Sequence, residues 1–92
     1  MSVLLVTYDL NKEPDSSDYK GFMKVIKSYP WARLSESSYA IATSKSVEQI
    51  YSELSAYADK NDYVYIIRLH RPYTGFGPTR VNDWLDENLT EC

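Results

Sequence analysis

The sequence V-L-L-V-T-Y-D-L, at residues 3–10, is the most informative stretch of the chain. Apolar side chains occur at both odd and even positions, a pattern typical of a strand buried on both faces in the middle of a sheet. Asp9 stands where this strand ends and a loop begins. An acid at that point is either a loop-capping residue or a carboxylate placed for chemistry.

A helix is predicted after a polar loop at residues 11–18, with Asp15 or Ser16 as its N-cap. Apolar residues then follow with the spacing i, i+3, i+4 and i+7, which gives one apolar stripe. Gly21 weakens the helix slightly and would permit a close contact, and Pro30 ends the helix. The stripe consists of Tyr19, Phe22, Met23 and Ile26.

The rest of the core is a hairpin, a second helix and a last strand. Residues 31–34 and 39–43 read as paired strands, and 63–69 as a strand rich in β-branched and aromatic residues. Ser46 and Gln49 match a capping box at the start of the second helix. The order strand, helix, strand, strand, helix, strand predicts an α+β ferredoxin-like sandwich with both helices on one sheet face.

The chain beyond residue 69 is predicted to add a loop and a short helix to this fold. Two glycines and two prolines mark residues 70–78 as a structured loop, and Thr79 would cap the helix. Phe76 and Trp84 need apolar surroundings, on the same molecule or on a partner. We therefore expect one domain over residues 1–92, with a core at about 3–69 and a C-terminal extension at 70–92.

Composition narrows the class of protein. The content of 43% hydrophobic and 14% aromatic residues in 92 residues is that of a folded chain, and a net charge of −3 argues against broad, non-specific nucleic-acid binding. Cys92 is the one cysteine, which we expect to be a free thiol, so an intramolecular disulfide is excluded. No signal peptide or long apolar segment is visible, which predicts a soluble cytoplasmic protein without a membrane anchor.

Three sets of residues are candidates for chemistry or binding. Asp9 could ligate a hard cation such as Mg²⁺, with a second copy contributed by a two-fold dimer. His70 could act as a general acid or base and Arg71 could hold a phosphate, although an edge pair in a loop has the same pattern. A two-histidine ribonuclease mechanism within one chain is excluded, because the sequence contains one histidine.

The aromatic strands are the third candidate set. Tyr39 shares one side of its strand with Ile41, and Tyr63 shares one side of its strand with Tyr65. If these side chains project from the sheet face without helices, they form an apolar patch too large to remain in water. A dimer or partner interface is favoured over base stacking, because residues 38–43 lack the basic and glycine pattern of RNA-recognition strands. Plain core packing is the remaining alternative.

Two short motifs carry a resemblance to a known family. Tyr8-Asp9-Leu10-Asn11 and, before the last strand, Asp59-Lys60-Asn61-Asp62 resemble segments of the small ferredoxin-like proteins of the CRISPR adaptation nuclease superfamily, especially its uncharacterised relatives outside CRISPR loci. The segments at 35–41 and 61–67 add to the likeness, which covers residues 3–69. The resemblance implies a homodimer, and it implies that Asp9 matches the acid that binds magnesium across the dimer axis in nuclease members.

These observations lead to one leading hypothesis and two alternatives. The leading one is a homodimeric module without catalysis that binds a macromolecule, a protein or a nucleic acid, in a mobile-element or defence context. Its binding residues would be Tyr39, Tyr63, Tyr65, His70, Arg71, Phe76 and Trp84. The first alternative is a magnesium-dependent endonuclease on RNA or DNA that uses paired Asp9 carboxylates. The second is a structural subunit without a ligand.

Overall fold

A computed structural model describes residues 1–91, and Cys92 lies outside the described residues. Within residues 1–91 the chain forms four strands and three helices. The strands make one antiparallel sheet in the order β2-β3-β1-β4. The predicted ferredoxin-like architecture is therefore confirmed, and a third helix follows it. The elements are β1 (Ser2–Asp9), α1 (Ser17–Lys27), β2 (Trp31–Ser35), β3 (Ser38–Thr43), α2 (Val47–Ser55), β4 (Tyr63–Leu69) and α3 (Thr79–Asn88).

The main core lies between the sheet and the pair α1 and α2. Strand β1 is central, and its alternate side chains Leu4, Val6 and Tyr8 face these helices. On the opposite face Val3 is 3% exposed, whereas Leu5 and Thr7 are half-buried and Asp9 is exposed. The burial on both sides that the apolar pattern predicts is therefore present at the start of the strand only. The buried core residues are Leu4, Val6, Tyr8, Phe22, Ile26, Tyr39, Ile41, Ile50 and Leu54.

Both main helices begin with the local interactions that the sequence predicts. The Ser16 side chain accepts a hydrogen bond from the Tyr19 amide at 3.2 Å. At α2 the Gln49 amide donates to Ser46 Oγ at 3.1 Å, and the Ser46 amide donates to Gln49 Oε1 at 2.8 Å. These bonds satisfy amides that a helix start leaves without partners. The close contact expected at Gly21 is also present, because a β-carbon there would overlap the Tyr57 ring.

The start of α3 differs from the prediction. Pro78 is the N-cap residue, with φ −58° and ψ 144°, and no side chain caps the helix. The assignment of Thr79 as the cap was wrong because Thr79 is already the first helical residue. A side-chain cap requires an extended residue outside the helix, and proline occupies that position here.

The third helix covers part of the sheet face that α1 and α2 leave free. Leu89, just after α3, is 6% exposed and packs with Val3 and Ala40 in a second, smaller core cluster. Trp84 and Leu85 are half-buried against this cluster. Trp84 therefore docks on its own molecule, which was one of the two placements expected for it.

Register determines which aromatic residues reach the second face. Val6 pairs with Tyr39 across β1 and β3, so Tyr39 lies on the helix side, where it is 4% exposed. The binding role predicted for Tyr39 depended on its projection from the bare face. Its ring instead belongs to the main core, which was the alternative left open by the sequence. Thr7 pairs with Tyr65 and Asp9 with Tyr63, so these β4 side chains lie on the second face.

Candidate functional site

The candidate site is the part of the second sheet face that α3 leaves uncovered. We call it the open face and define it by Asp9 at the end of β1 and by Tyr63, Tyr65 and Ile67 on β4. The β4 side chains are 64%, 65% and 51% exposed, respectively. Three large side chains thus form an exposed row along an edge strand, a surface of the kind that marks a binding or association site.

Asp9 occupies one end of this row. Its backbone pairs with that of Tyr63, and both residues are exposed. Residues on directly opposite positions of an antiparallel pair project on the same side of the sheet. The Asp9 carboxylate and the Tyr63 ring therefore share the open face, so a molecule that covers the row also reaches Asp9.

The loops beside Asp9 are joined through Asp62. The Asp62 side chain has no exposed surface, and it accepts hydrogen bonds from the amides of Asn11, at 2.6 Å, and Asp59, at 3.0 Å. Lys12 Nζ lies 2.8 Å from Asp62 Oδ2 and donates to the Tyr57 carbonyl at 3.2 Å. These contacts connect the loop after β1 with the loop before β4.

The contacts also set the charge state of the loop. Burial raises the pKa of the Asp62 carboxyl, but the hydrogen bonds from Lys12 and from the two amides outweigh it, so the pKa lies below its usual value. The hydrogen bond to Asp62 raises the pKa of Lys12 above its usual value. Both groups are therefore ionised at neutral pH. The sequence interpretation missed this role for Asp62, although an Asp-x-Asn-Asp segment before a strand is a recognisable turn signal.

His70 and Arg71 follow β4 directly, but they differ in exposure and in hydrogen bonding. His70 is exposed beside the loop at residues 71–78. The Arg71 side chain donates to the Leu89 carbonyl at 3.1 Å and the Asp86 carbonyl at 2.6 Å, and its amide donates to the Thr90 carbonyl at 2.7 Å. Arg71 thus ties the extension together at the end of α3.

An apolar cavity of about 330 Å³ lies between this loop and α3. Leu69 from β4 and Val81, Leu85 and Leu89 from the α3 region line it, together with Leu34 from β2. Phe76 stands at its rim with 105% relative exposure, so the phenyl ring has no cover from its own molecule. Because Leu69 continues the row of the open face, the cavity adjoins that face.

Neither a metal cluster nor a membrane helix is found in the described chain. Residues 1–91 contain no group of three or more His, Cys, Asp or Glu side chains arranged to hold a metal ion. Over the same residues, none of the helices combines the length and the apolarity needed to cross a bilayer.

A comparison with known families separates the ferredoxin-like core from the end of the chain. A family model described as CRISPR associated protein Cas2 matches residues 1–75. The chain belongs to this family. The match includes all four strands of the sheet and both core helices, and it ends one residue before Phe76. Helix α3 and the part of the cavity wall that it supplies therefore lie outside the family match. No curated protein matches the chain.

Proposed function

We propose that this member of the Cas2 family is a homodimeric binding module whose subunits associate through the open face. The observation that carries the proposal is the row of Tyr63, Tyr65 and Ile67, which is more than half exposed along its whole length. Tyrosine is enriched at interfaces because it combines a large apolar ring with a polar tip. Soluble monomers rarely leave a contiguous patch of this kind uncovered.

The dimer would in turn bind a macromolecular partner, chiefly a protein, in a mobile-element or defence context. Family membership supports this context, and the extension at residues 70–91, which lies outside the family match from residue 76 onward, supplies further surfaces. His70 and Phe76 are the exposed candidates there, whereas Arg71 and Trp84 contribute by holding the extension in place. We take the chain to act as one unit over residues 1–92.

Sedimentation equilibrium of the purified protein tests the dimer directly. Tyr65→Ser should raise the dimer dissociation constant on the order of 100-fold, because each subunit loses a half-exposed aromatic contact in a two-fold interface. Trp31→Ser is the matched control, because Trp31 is 40% exposed on β2, at the edge of the sheet opposite to β4. A wild-type protein that remains monomeric at high micromolar concentration, or equal effects of both variants, would contradict the proposal.

A magnesium-dependent endonuclease is the second candidate function, and the position of Asp9 favours it. Asp9 lies on the open face, so a two-fold axis through this face would bring the two Asp9 carboxylates toward each other. One or two carboxylates with water and substrate phosphates suit Mg²⁺, so the residues present fit such an ion. When bound, the metal would supply a more acidic water and stabilise negative charge on the phosphate.

Cleavage assays on labelled RNA and DNA, with and without magnesium, distinguish the two candidates. If the nuclease candidate holds, Asp9→Asn abolishes cleavage and leaves the dimer and its thermal unfolding unchanged, whereas Asp15→Asn, in the exposed loop before α1, retains cleavage. Activity that survives Asp9→Asn would remove this mechanism. A dimer without cleavage under any of these conditions would support the binding module alone.

A further inference from the structure

Phe76 is exposed to an extent that is unusual for a phenylalanine in an ordered loop. Its side chain is 105% exposed, and the positions of Gly75 and Gly77 on either side are open, with no neighbouring atom within 4 Å of an added β-carbon. The ring therefore projects into solvent from a loop segment in which both neighbouring residues lack side chains. Removing such a ring from water would be favourable, because transfer free energy scales with the apolar area buried.

The apolar cavity beside Phe76 has the size and lining to accept such a ring. It has a volume of about 330 Å³. A cavity of ~150 Å³ lined by aliphatic side chains is already enough to bind benzene. The walls come from the loop on one side and from Val81 and Leu85 of α3 on the other, with Leu69 contributed by β4. A phenyl ring entering this cavity would meet mainly apolar atoms.

We propose that two copies of the chain exchange their Phe76 side chains, each ring entering the cavity of the partner subunit. The ring and the cavity lie at the same rim, and a two-fold interface repeats every contact in both directions. A projection beside a matching cavity is the self-complementary shape that such an interface requires. The inference rests on the proposed dimer and names the contact that completes it.

The apolar area of the open face supports the proposal that the partner's Phe76 ring fills the cavity, because the open face alone is too small for a specific interface. Tyr63, Tyr65 and Ile67 supply on the order of 350 Å² per subunit, since a large aromatic side chain carries ~150–250 Å² of surface and these residues are 51–65% exposed. A specific interface removes at least ~600 Å² per subunit. The Phe76 ring and the cavity walls that it would cover supply the remaining area. Leu69 makes the two surfaces continuous, because it ends the β4 row and lines the cavity.

Sedimentation equilibrium on the full chain tests the exchange. Phe76→Ala should raise the dimer dissociation constant on the order of 100-fold or more, because two rings per dimer lose their burial. Thr79→Ala is the matched control, since Thr79 is exposed at the start of α3 and does not line the cavity. Because Phe76 is fully exposed in its own subunit, thermal unfolding of the monomer should be unchanged by Phe76→Ala.

A second measurement locates the ring. We would replace Phe76 with p-azidophenylalanine, mix isotopically heavy and light protein, irradiate the mixture and map the crosslinks. Heavy–light crosslinks to the segment containing Val81 and Leu85 support the exchange. Crosslinks confined to one subunit, or a Phe76→Ala variant that dimerises as tightly as wild type, overturn the exchange and leave the open-face dimer standing. A wild-type monomer would refute the proposed dimer and the exchange together.

Discussion

Lys12 and Asp62 form an ion pair, with Nζ and Oδ2 2.8 Å apart, between the loop after β1 and the loop before β4. The side chain of Lys12 is 13% exposed and that of Asp62 is fully covered. The two strands that these loops flank carry Asp9 and Tyr63 at paired positions. The ion pair therefore stabilises the end of the open face at which Asp9 lies beside Tyr63.

Asp62→Asn should remove a pH-dependent part of the stability. The folded pKa of Asp62 lies below the usual value, so the unfolded chain binds more protons, and stability from this group rises with pH. The stabilisation is complete above the ordinary aspartate pKa of ~3.9 and is lost as the pH falls through the lower folded value.

Thermal unfolding from pH 3 to pH 7 checks this behaviour. The melting temperature of wild type should exceed that of Asp62→Asn at neutral pH, and the difference should shrink on acidification below pH ~4. Asp15→Asn, at an exposed acid, is the control. A difference between wild type and Asp62→Asn that stays constant across this range would contradict the role assigned to the ion pair.

Gly21→Ala should destabilise the protein despite alanine's better helix propensity. Alanine gains up to ~1 kcal/mol in a helix interior, but overpacking in a tight site costs about 1–3 kcal/mol. The β-carbon would overlap the Tyr57 ring, which must move away. Urea unfolding of Gly21→Ala, of Tyr57→Ala and of the double variant separates the two effects. If steric overlap is the cause, adding Tyr57→Ala recovers part of the loss; an additive double variant would exclude it.

Leu89→Ala should loosen the attachment of the extension. Leu89 is 6% exposed between Val3 and Ala40, and truncation of a buried leucine costs about 2–5 kcal/mol of the free energy of unfolding. Amide hydrogen exchange in α3 should be faster in Leu89→Ala than in wild type, and the change in β1 should be smaller. Val81→Ala, at a half-buried position of α3, should cost less. Equal protection of α3 in wild type and Leu89→Ala would show that another contact anchors the helix.

Ser46→Ala should weaken the start of α2 by about 0.5–2 kcal/mol, because the Gln49 amide loses its acceptor. Chemical denaturation measures this change. Ser44→Ala is the control, since Ser44 is exposed two residues earlier and lies outside the capping box. Equal losses in the two variants would mean that the capping box contributes no stability of its own.

Local sequence patterns were sufficient to predict the helices and strands of most of the ferredoxin-like core. The capping box at Ser46 and Gln49 formed as predicted because its hydrogen bonds join residues three positions apart. Strand β4 has the predicted bounds, Tyr63–Leu69, because five of its seven residues are β-branched or aromatic. The cap of α3 was missed because Pro78 and Thr79 both suit a helix start, and the sequence pattern did not indicate which of the two lies outside the helix.

The candidate site depended on contacts between distant parts of the chain. Period-two spacing separated each strand into two sets of side chains but left open which set faced the helices, so the sequence did not decide between an interface and the core for Tyr39. Register with β1 placed Tyr39 in the core and Tyr65 outside.

The strands, the helices and their order could be predicted from the sequence, because propensity, apolar periodicity and capping act over a few neighbouring residues. Tertiary structure alone decided that Asp62 is buried beside Lys12 and that α3 covers part of the second face. It also decided that Phe76 projects beside an apolar cavity. These features follow from burial and from pairing between segments far apart in the chain, which no local pattern encodes.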